Sequence, residues 1–414
     1  MRGIDLRRLS ALLMASMALL MLMPGLSTVA ALPGNVVMRT GGVLELPGSS
    51  LMRASMSGEA AAVSQGGGGL RLLAGDAGKA SLTYSLLGML PVRTVSVSVE
   101  PERVLIPGGQ SVGIAIDTQG VIVVGESDLG NTPSPARLAG LKAGDIIQRV
   151  NGEAVTSAGA LSGAVKDGGP LTLDVLRDGR TLSCEVTPAL DARDGAWRLG
   201  AWVRDSTAGV GTVTFIDPET GVYGALGHAI TDVDTRVTMP VGVGELYENN
   251  VVDVTPSVQG RPGELTGDFI FQPVTVGTVD RNTGRGIFGT ADSARSALYP
   301  QGLPAARQSD LHPGPATLLT TVDAGGVREY ACEIVRMNAH GGDARGLVIR
   351  VTDPELIKVT GGIVQGMSGS PIIQDGRLAG AVTHVVVNDP CMGYGISIER
   401  MLEEAEKVND ARAA

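Results

Sequence analysis

Apolar and polar positions alternate over much of the chain, in short runs separated by glycine-bearing turns. Val95-Ser-Val-Ser-Val99 alternates strictly, which predicts a strand with one face buried. Gly120-Val-Ile-Val-Val-Gly125 is apolar throughout and predicts a strand buried on both faces. Thr212-Val-Thr-Phe-Ile216 and Val222-Tyr-Gly-Ala-Leu226 read as two strands joined by the turn Asp217-Pro-Glu-Thr-Gly221. Asp-Gly between apolar runs signals a two-residue hairpin turn. It occurs at Asp178-Gly179, between Leu171–Val175 and Thr181–Val186, and at Asp375-Gly376, between Ile372–Gln374 and Arg377–Val382. Val150-Asn-Gly-Glu153 is a third tight turn. Helical signals are few and short. Ser134-Pro-Ala-Arg-Leu138 opens one, and Ser157 caps another in which Ala158, Leu161, Ala164 and Val165 share a face.

These elements predict a mainly β chain. Its 414 residues suffice for two or three domains, and aromatics are only 3%, so the cores must be Val, Leu, Ile and Ala. The pattern divides into a small β-rich region over 35–100, a module over 103–190 and a larger unit over 195–404. Ahead of them, Arg2, Arg7 and Arg8 precede a dense apolar stretch, Ala11–Met23, broken by Pro24-Gly25 and followed by Val29-Ala-Ala31. Residues 1–31 read as an export signal, or as a retained membrane anchor. Net charge is −10, with no basic cluster interleaved with aromatics, which argues against nucleic-acid partners. The three cysteines, Cys184, Cys332 and Cys391, make no disulfide framework and have no metal spacing. Each reads as a small buried apolar residue, with a Cys332–Cys391 bridge as the lesser reading.

Candidate chemistry concentrates in Gly366-Met-Ser-Gly-Ser-Pro371. A hydroxyl between glycines, ahead of an apolar hairpin, is what an acyl-transfer nucleophile needs. Ser368 Oγ would attack a carbonyl, and the N–H groups of Gly366 and Ser368 would hold the oxyanion. A glycine-rich turn without chemistry is the bland alternative, since Gly is 59 of the residues. Of four histidines, His312 and His340 lie in polar loops. His228 follows a small-residue strand in Gly227-His-Ala-Ile-Thr-Asp232, the setting a proton-shuttling imidazole requires. His384, in Thr383-His-Val-Val, is its competitor. The residues alone do not choose among Asp232, Asp234, Asp268, Asp280 and Asp353 as the acid that would orient the imidazole. No metal or other cofactor is expected: His340 with Asp343 fits no ligand spacing.

Ala139-Gly-Leu-Lys-Ala-Gly-Asp-Ile-Ile-Gln-Arg-Val-Asn-Gly-Glu153 resembles a PDZ domain of the bacterial protease-associated kind. Such domains bind peptides by strand addition. The resemblance implies that Ser111, Val112, Gly113 and Ile114 receive a chain terminus, with the Ala158–Val165 helix as groove wall. With Gly211–Asp232, Thr352-Asp-Pro-Glu-Leu356, Thr360–Pro371 and the lead-in Gly88–Val99, the whole chain resembles the stage IV sporulation protein B family. That resemblance implies a chymotrypsin-like double β-barrel after the PDZ domain, with His228 as general base, Asp353 as acid and Ser368 as nucleophile. It implies a sporulation peptidase exported to the space between forespore and mother cell. There it would cleave itself and then a membrane-embedded regulator of an intramembrane protease, and so activate a late sigma factor. A general envelope quality-control protease and a non-catalytic PDZ adaptor are the alternatives.

Overall fold

Residues 33–47, 52–66, 69–269, 273–291, 298–338 and 343–413 are described by the computed structural model; the expected export segment and His340 lie outside them. The described chain divides into two compact units that meet between Arg103 and Val104.

The first unit holds a four-stranded and a three-stranded sheet. Its alternating segment falls within the strand Leu90–Glu100, where Val95, Val97 and Val99 point inward against Leu82, Tyr84 and Leu72, as the period of two dictates.

The second unit is organised by two long strands, β1 (Ser111–Glu126) and β5 (Ala201–Ile216), antiparallel from Ser111↔Thr212 to Glu126↔Ala201. Between them in sequence come β2 (Ile146–Val150), α1 (Ala158–Val165), β3 (Leu171–Arg177) and β4 (Arg180–Val186). The Asp-Gly and Asn-Gly turns form as expected. Asp178 and Gly179, Asn151 and Gly152, and Asp375 and Gly376 all take left-handed φ between 49° and 81°, as the favoured two-residue hairpin turn requires. Ser157 Oγ accepts from the Ala160 N–H at 3.0 Å and caps α1.

β1 serves two modules. Its C-terminal half pairs with β2 through Val121 and Ile122, and β2–β4 complete the PDZ-type sheet. Its N-terminal half pairs with β7 (Val241–Glu248) on the edge opposite β5. The expected modules over 103–190 and 195–404 are therefore joined by one continuous sheet, in the order β4-β3-β2-β1-β5-β6, where β6 is Val222–Ala225. Beyond β2–β4, this sheet continues through β1, β5, β6 and β7 as an open half-barrel.

The second half is a closed six-stranded barrel. Its strands are β8 (Gly314–Thr321), β9 (Val327–Met337), β10 (Leu347–Val351), β11 (Pro371–Gln374), β12 (Arg377–Val386) and β13 (Asp389–Ser397). Leu318, Ile334, Ile349, Ile372 and Val382 fill it, each at most 1% exposed. A short helix, α2 (Pro354–Thr360), lies between β10 and β11. The final helix, α3 (Ile398–Ala413), buries Met401, Ala405 and Val408 against Phe215, Val222 and Phe288 of the half-barrel and Ala381 of the barrel. The three cysteines are free, so the lesser reading of a Cys332–Cys391 bridge does not hold. Cys332 is buried in the barrel core, which pushes its thiol up to about 12.

Candidate active site

The serine loop leaves α2 through Gly361 and enters β11 at Pro371. It is fastened by one residue of β5. Thr212, fully buried, donates its N–H to Ser368 O at 3.0 Å and its hydroxyl to Gly366 O at 2.7 Å. Two positions on, the buried Thr214 hydroxyl donates to Gly369 O at 2.8 Å. Gly369 has φ +97°, and a Cβ there would lie 2.0 Å from Thr212 O and 2.5 Å from Leu226 N, so only glycine fits. The N–H groups of Gly366 and Ser368 donate to no backbone carbonyl among the described residues, as an oxyanion hole requires.

The same Thr212 carbonyl accepts the Leu226 N–H at 3.3 Å. Leu226 and Gly227 are both left-handed and swing the chain off β6 so that His228 reaches the barrel. A Cβ on Gly227 would lie 2.8 Å from Thr383 and 2.9 Å from Ile396, so glycine permits this approach. His228 Nδ1 donates to Ala229 O at 2.9 Å in the tautomer that leaves Nε2 as the base. Burial lowers the His228 pKa, an effect partly offset by the Ala229 carbonyl. Ser368 Oγ donates to Thr383 O at 2.8 Å. The competitor His384 is the next residue, and its ring lies 4.9 Å from that of His228.

The fold thus brings His228, His384, Ser368 and the two N–H donors to one place. Asp353 is engaged in other bonds. Asp353 is the N-cap of α2: its carboxylate accepts from Glu355 N at 2.9 Å and from Leu356 N and Ala331 N at 3.1 Å each. Asp-Pro at a helix start supplies a cap and a preset first φ, and that is how these two residues are used. The other acids are also engaged elsewhere. Asp232 and Asp234 pair with Arg204, Asp268 accepts from Asn250, and Asp280 is exposed. Among the described residues no carboxylate hydrogen-bonds to His228.

The peptide-binding residues need a second correction. Val112, Gly113 and Ile114 are paired on one side with Gly211, Val210 and Gly209 and on the other with Glu248, Tyr247 and Leu246. Ser111 is buried, and its Oγ accepts from Asn249 Nδ2 at 2.8 Å. No edge is left for an added strand. A separate groove lies between α1 and the start of β5. It encloses about 240 Å3, with Leu161 and Val165 on the helix side and Leu199, Trp197 and Trp202 opposite. Residues 201–203 pair with β1 on one edge only, and the other faces the groove. The signals that point to these features are Thr212 and Thr214, polar residues in an apolar strand, and Leu199-Gly200-Ala201, a glycine entering a strand.

The profile of the SpoIVB peptidase S55 family matches residues 195–402, half of the chain. The chain belongs to the SpoIVB peptidase family. A PDZ-domain profile matches residues 130–177, so this family member is a serine endopeptidase carrying a PDZ domain, and its substrates are peptides or proteins. No curated protein matches the chain. Among solved structures, the PDZ domain of the SdrC-like protein from Listeria monocytogenes is 22% identical, over 21% of this chain and 90% of that one, with a TM-score of 0.18. The active form of the Rv3671c protease from M. tuberculosis is 16% identical over 49% and 74%, with a TM-score of 0.28. The HtrA-type protease AlgW, solved with a decapeptide, is 11% identical over 50% and 55%, with a TM-score of 0.30. Scores this low carry no argument; the half-barrel, the closed barrel and the PDZ-type sheet are read from this chain's own strand order.

Proposed function

We propose that this peptidase acts in sporulation. Exported across the cytoplasmic membrane into the space between forespore and mother cell, it cleaves its own chain. It then cleaves a membrane-embedded regulator of an intramembrane protease, and so signals for activation of a late sigma factor. Family membership and the lead-in Gly88–Val99 support the biological setting. The observation that carries the chemistry is that Thr212 fastens both the Gly366–Ser368 loop and Leu226, two residues before His228.

In this reading Ser368 Oγ turns from the Thr383 carbonyl toward His228. Its proton passes to His228 Nε2 as Oγ bonds to the scissile carbon, and the carbonyl electron pair moves onto the oxygen. That oxyanion is held by the N–H groups of Gly366 and Ser368. His228 then gives the proton to the leaving amine as the C–N bond breaks, and water repeats the sequence on the acyl-enzyme. The groove between α1 and residues 201–203 takes an extended segment of the substrate or of the enzyme's own chain.

The test follows the full chain and its Ser368→Ala variant by intact mass over time. Fragments in the wild type and none in the variant support self-cleavage and locate its sites. An unfragmented wild type whose Ser368 resists a fluorophosphonate probe would leave the PDZ adaptor as the reading.

A further inference from the structure

Thr383 and His384, adjacent on β12, touch both catalytic groups. The Thr383 carbonyl accepts the Ser368 hydroxyl at 2.8 Å, and the His384 ring lies against His228 at 4.9 Å with a tilt of 41°. The His384 Nδ1 is buried without a hydrogen-bond partner, a costly arrangement for a side chain with only packing to do. Next to it stands a base that no carboxylate among the described residues orients.

We propose that His384 is a positioning residue for the hydrolysis, a neutral imidazole that seats the His228 ring and steadies its charge when it takes the Ser368 proton. This rests on His228 and Ser368 acting as base and nucleophile. The role requires His384 to stay neutral while His228 cycles. The charged or titratable groups facing it are His228, Arg345 and Tyr394. Tyr394 is its cross-strand partner, and Arg345 lies 5.2 Å over the Tyr394 ring. Burial, then His228, then Arg345 push His384 down to about 4. His384 is therefore uncharged at neutral pH. A neutral ring with an unshared nitrogen dipole beside the imidazolium does part of what a carboxylate does in other serine peptidases, without adding a buried charge.

The experiment measures the rate of Ser368 labelling by an alkyl fluorophosphonate against pH, for the full chain and its His384→Phe and His384→Gln variants. Phe keeps the packing and removes both nitrogens, whereas Gln keeps a polar group. The expected result is a loss of roughly 10- to 100-fold for Phe, no more than the low end of a direct acid–base contribution because His384 acts through His228, with its acid limb moved to lower pH. Gln recovers part of the rate. A folded His384→Phe chain that labels at the wild-type rate with the same acid limb would overturn the proposal. So would Phe and Gln variants equally slow with an unmoved limb, since the loss would then come from disturbed local structure and not from an effect on the His228 charge. Ring NMR of the wild type decides the matter even if neither variant folds. The His228 and His384 resonances should each respond when the other titrates, and independent titration would overturn the coupling. A wild type that Ser368 labelling never reaches would instead sink the assignment of the nucleophile.

Discussion

The closed barrel carries Ser368, the proposed nucleophile, and the half-barrel carries His228, the proposed base, and the two differ in what else their strands do. In the barrel, β8 to β13 close on one another, and the serine loop hangs from a buried core. In the half-barrel, β1 and β5 run sixteen residues each and continue into the PDZ-type sheet. The serine loop is thus held by a strand that also forms one wall of the peptide groove. From Val203 at the groove to Thr212 at the serine loop is about 30 Å of a single strand at ~3.3 Å per residue. Closure gives one half rigidity. Openness lets the other run on as one sheet to the groove beside α1. The shifts of register between Trp202 and Val203 and between Arg204 and Ser206 are where that connection has slack.

The contrast breaks most severely at Gly369, where barrel loop and half-barrel strand meet. Gly369→Ala sets a methyl 2.0 Å from Thr212 O, at a φ that already disfavours it. The expected cost is about 3 kcal/mol of stability, with activity lost in whatever remains folded. Gly376→Ala, at the barrel's outer hairpin turn, has a left-handed φ but meets nothing within 4 Å, so about 1 kcal/mol and full activity are expected. Denaturant melts of the two, with Ser368 labelling, make the comparison.

Thr212→Val keeps the β5 backbone bonds and removes only the hydroxyl that holds Gly366 O. A buried carbonyl left unpaired costs about 1–3 kcal/mol, and the displaced loop should lower kcat roughly tenfold or more with little change in KM. Steady-state kinetics on a cleaved peptide would check this, and an unchanged kcat would show that the loop holds itself.

Groove occupancy tests the connection directly. The only two tryptophans, Trp197 and Trp202, line the groove, so their fluorescence should change when an apolar-ended peptide binds. Ser368 labelling should then change about fivefold, the low end of ordinary coupling between sites. Leu161→Asp should abolish both responses and leave basal labelling intact. A fluorescence change with no change in labelling would cut the link along β5.

The smallest expected effect is at Asp353. Asparagine caps a helix as well as aspartate but cannot also accept the Ala331 N–H, so Asp353→Asn should cost about 1 kcal/mol of stability and leave turnover unchanged. Loss of kcat in that variant would assign the carboxylate a role in the reaction that its capping bonds here do not provide.

Much of this protein was legible before any coordinates. Strands with period-two alternation, turns at Asp-Gly and Asn-Gly, and caps at Ser157 all depend on interactions within a few residues, which a local reading captures. The serine loop was equally local, because tight backbone geometry leaves its glycines no substitute. Two site expectations meet other bonding in the structure, one through partners far along the chain and one mainly through its own helix. Ser111–Ile114 looks like the entry to a peptide-binding edge, until β5 and β7, about a hundred residues on, take both of its sides. Asp353 looks like an acid near its serine, until three backbone N–H groups fill its carboxylate.

What the sequence by itself determined is which segments are strands, where they turn and which residues carry chemistry, because φ/ψ preference, capping and periodicity are properties of neighbours. Only the tertiary structure decided which strand lies beside which. Ladder hydrogen bonds are made by a backbone common to all residues, so pairing is selected by the packing of whole faces rather than by any local signal. The same non-local packing put His384 against His228, fastened the serine loop to Thr212 and opened the groove beside α1.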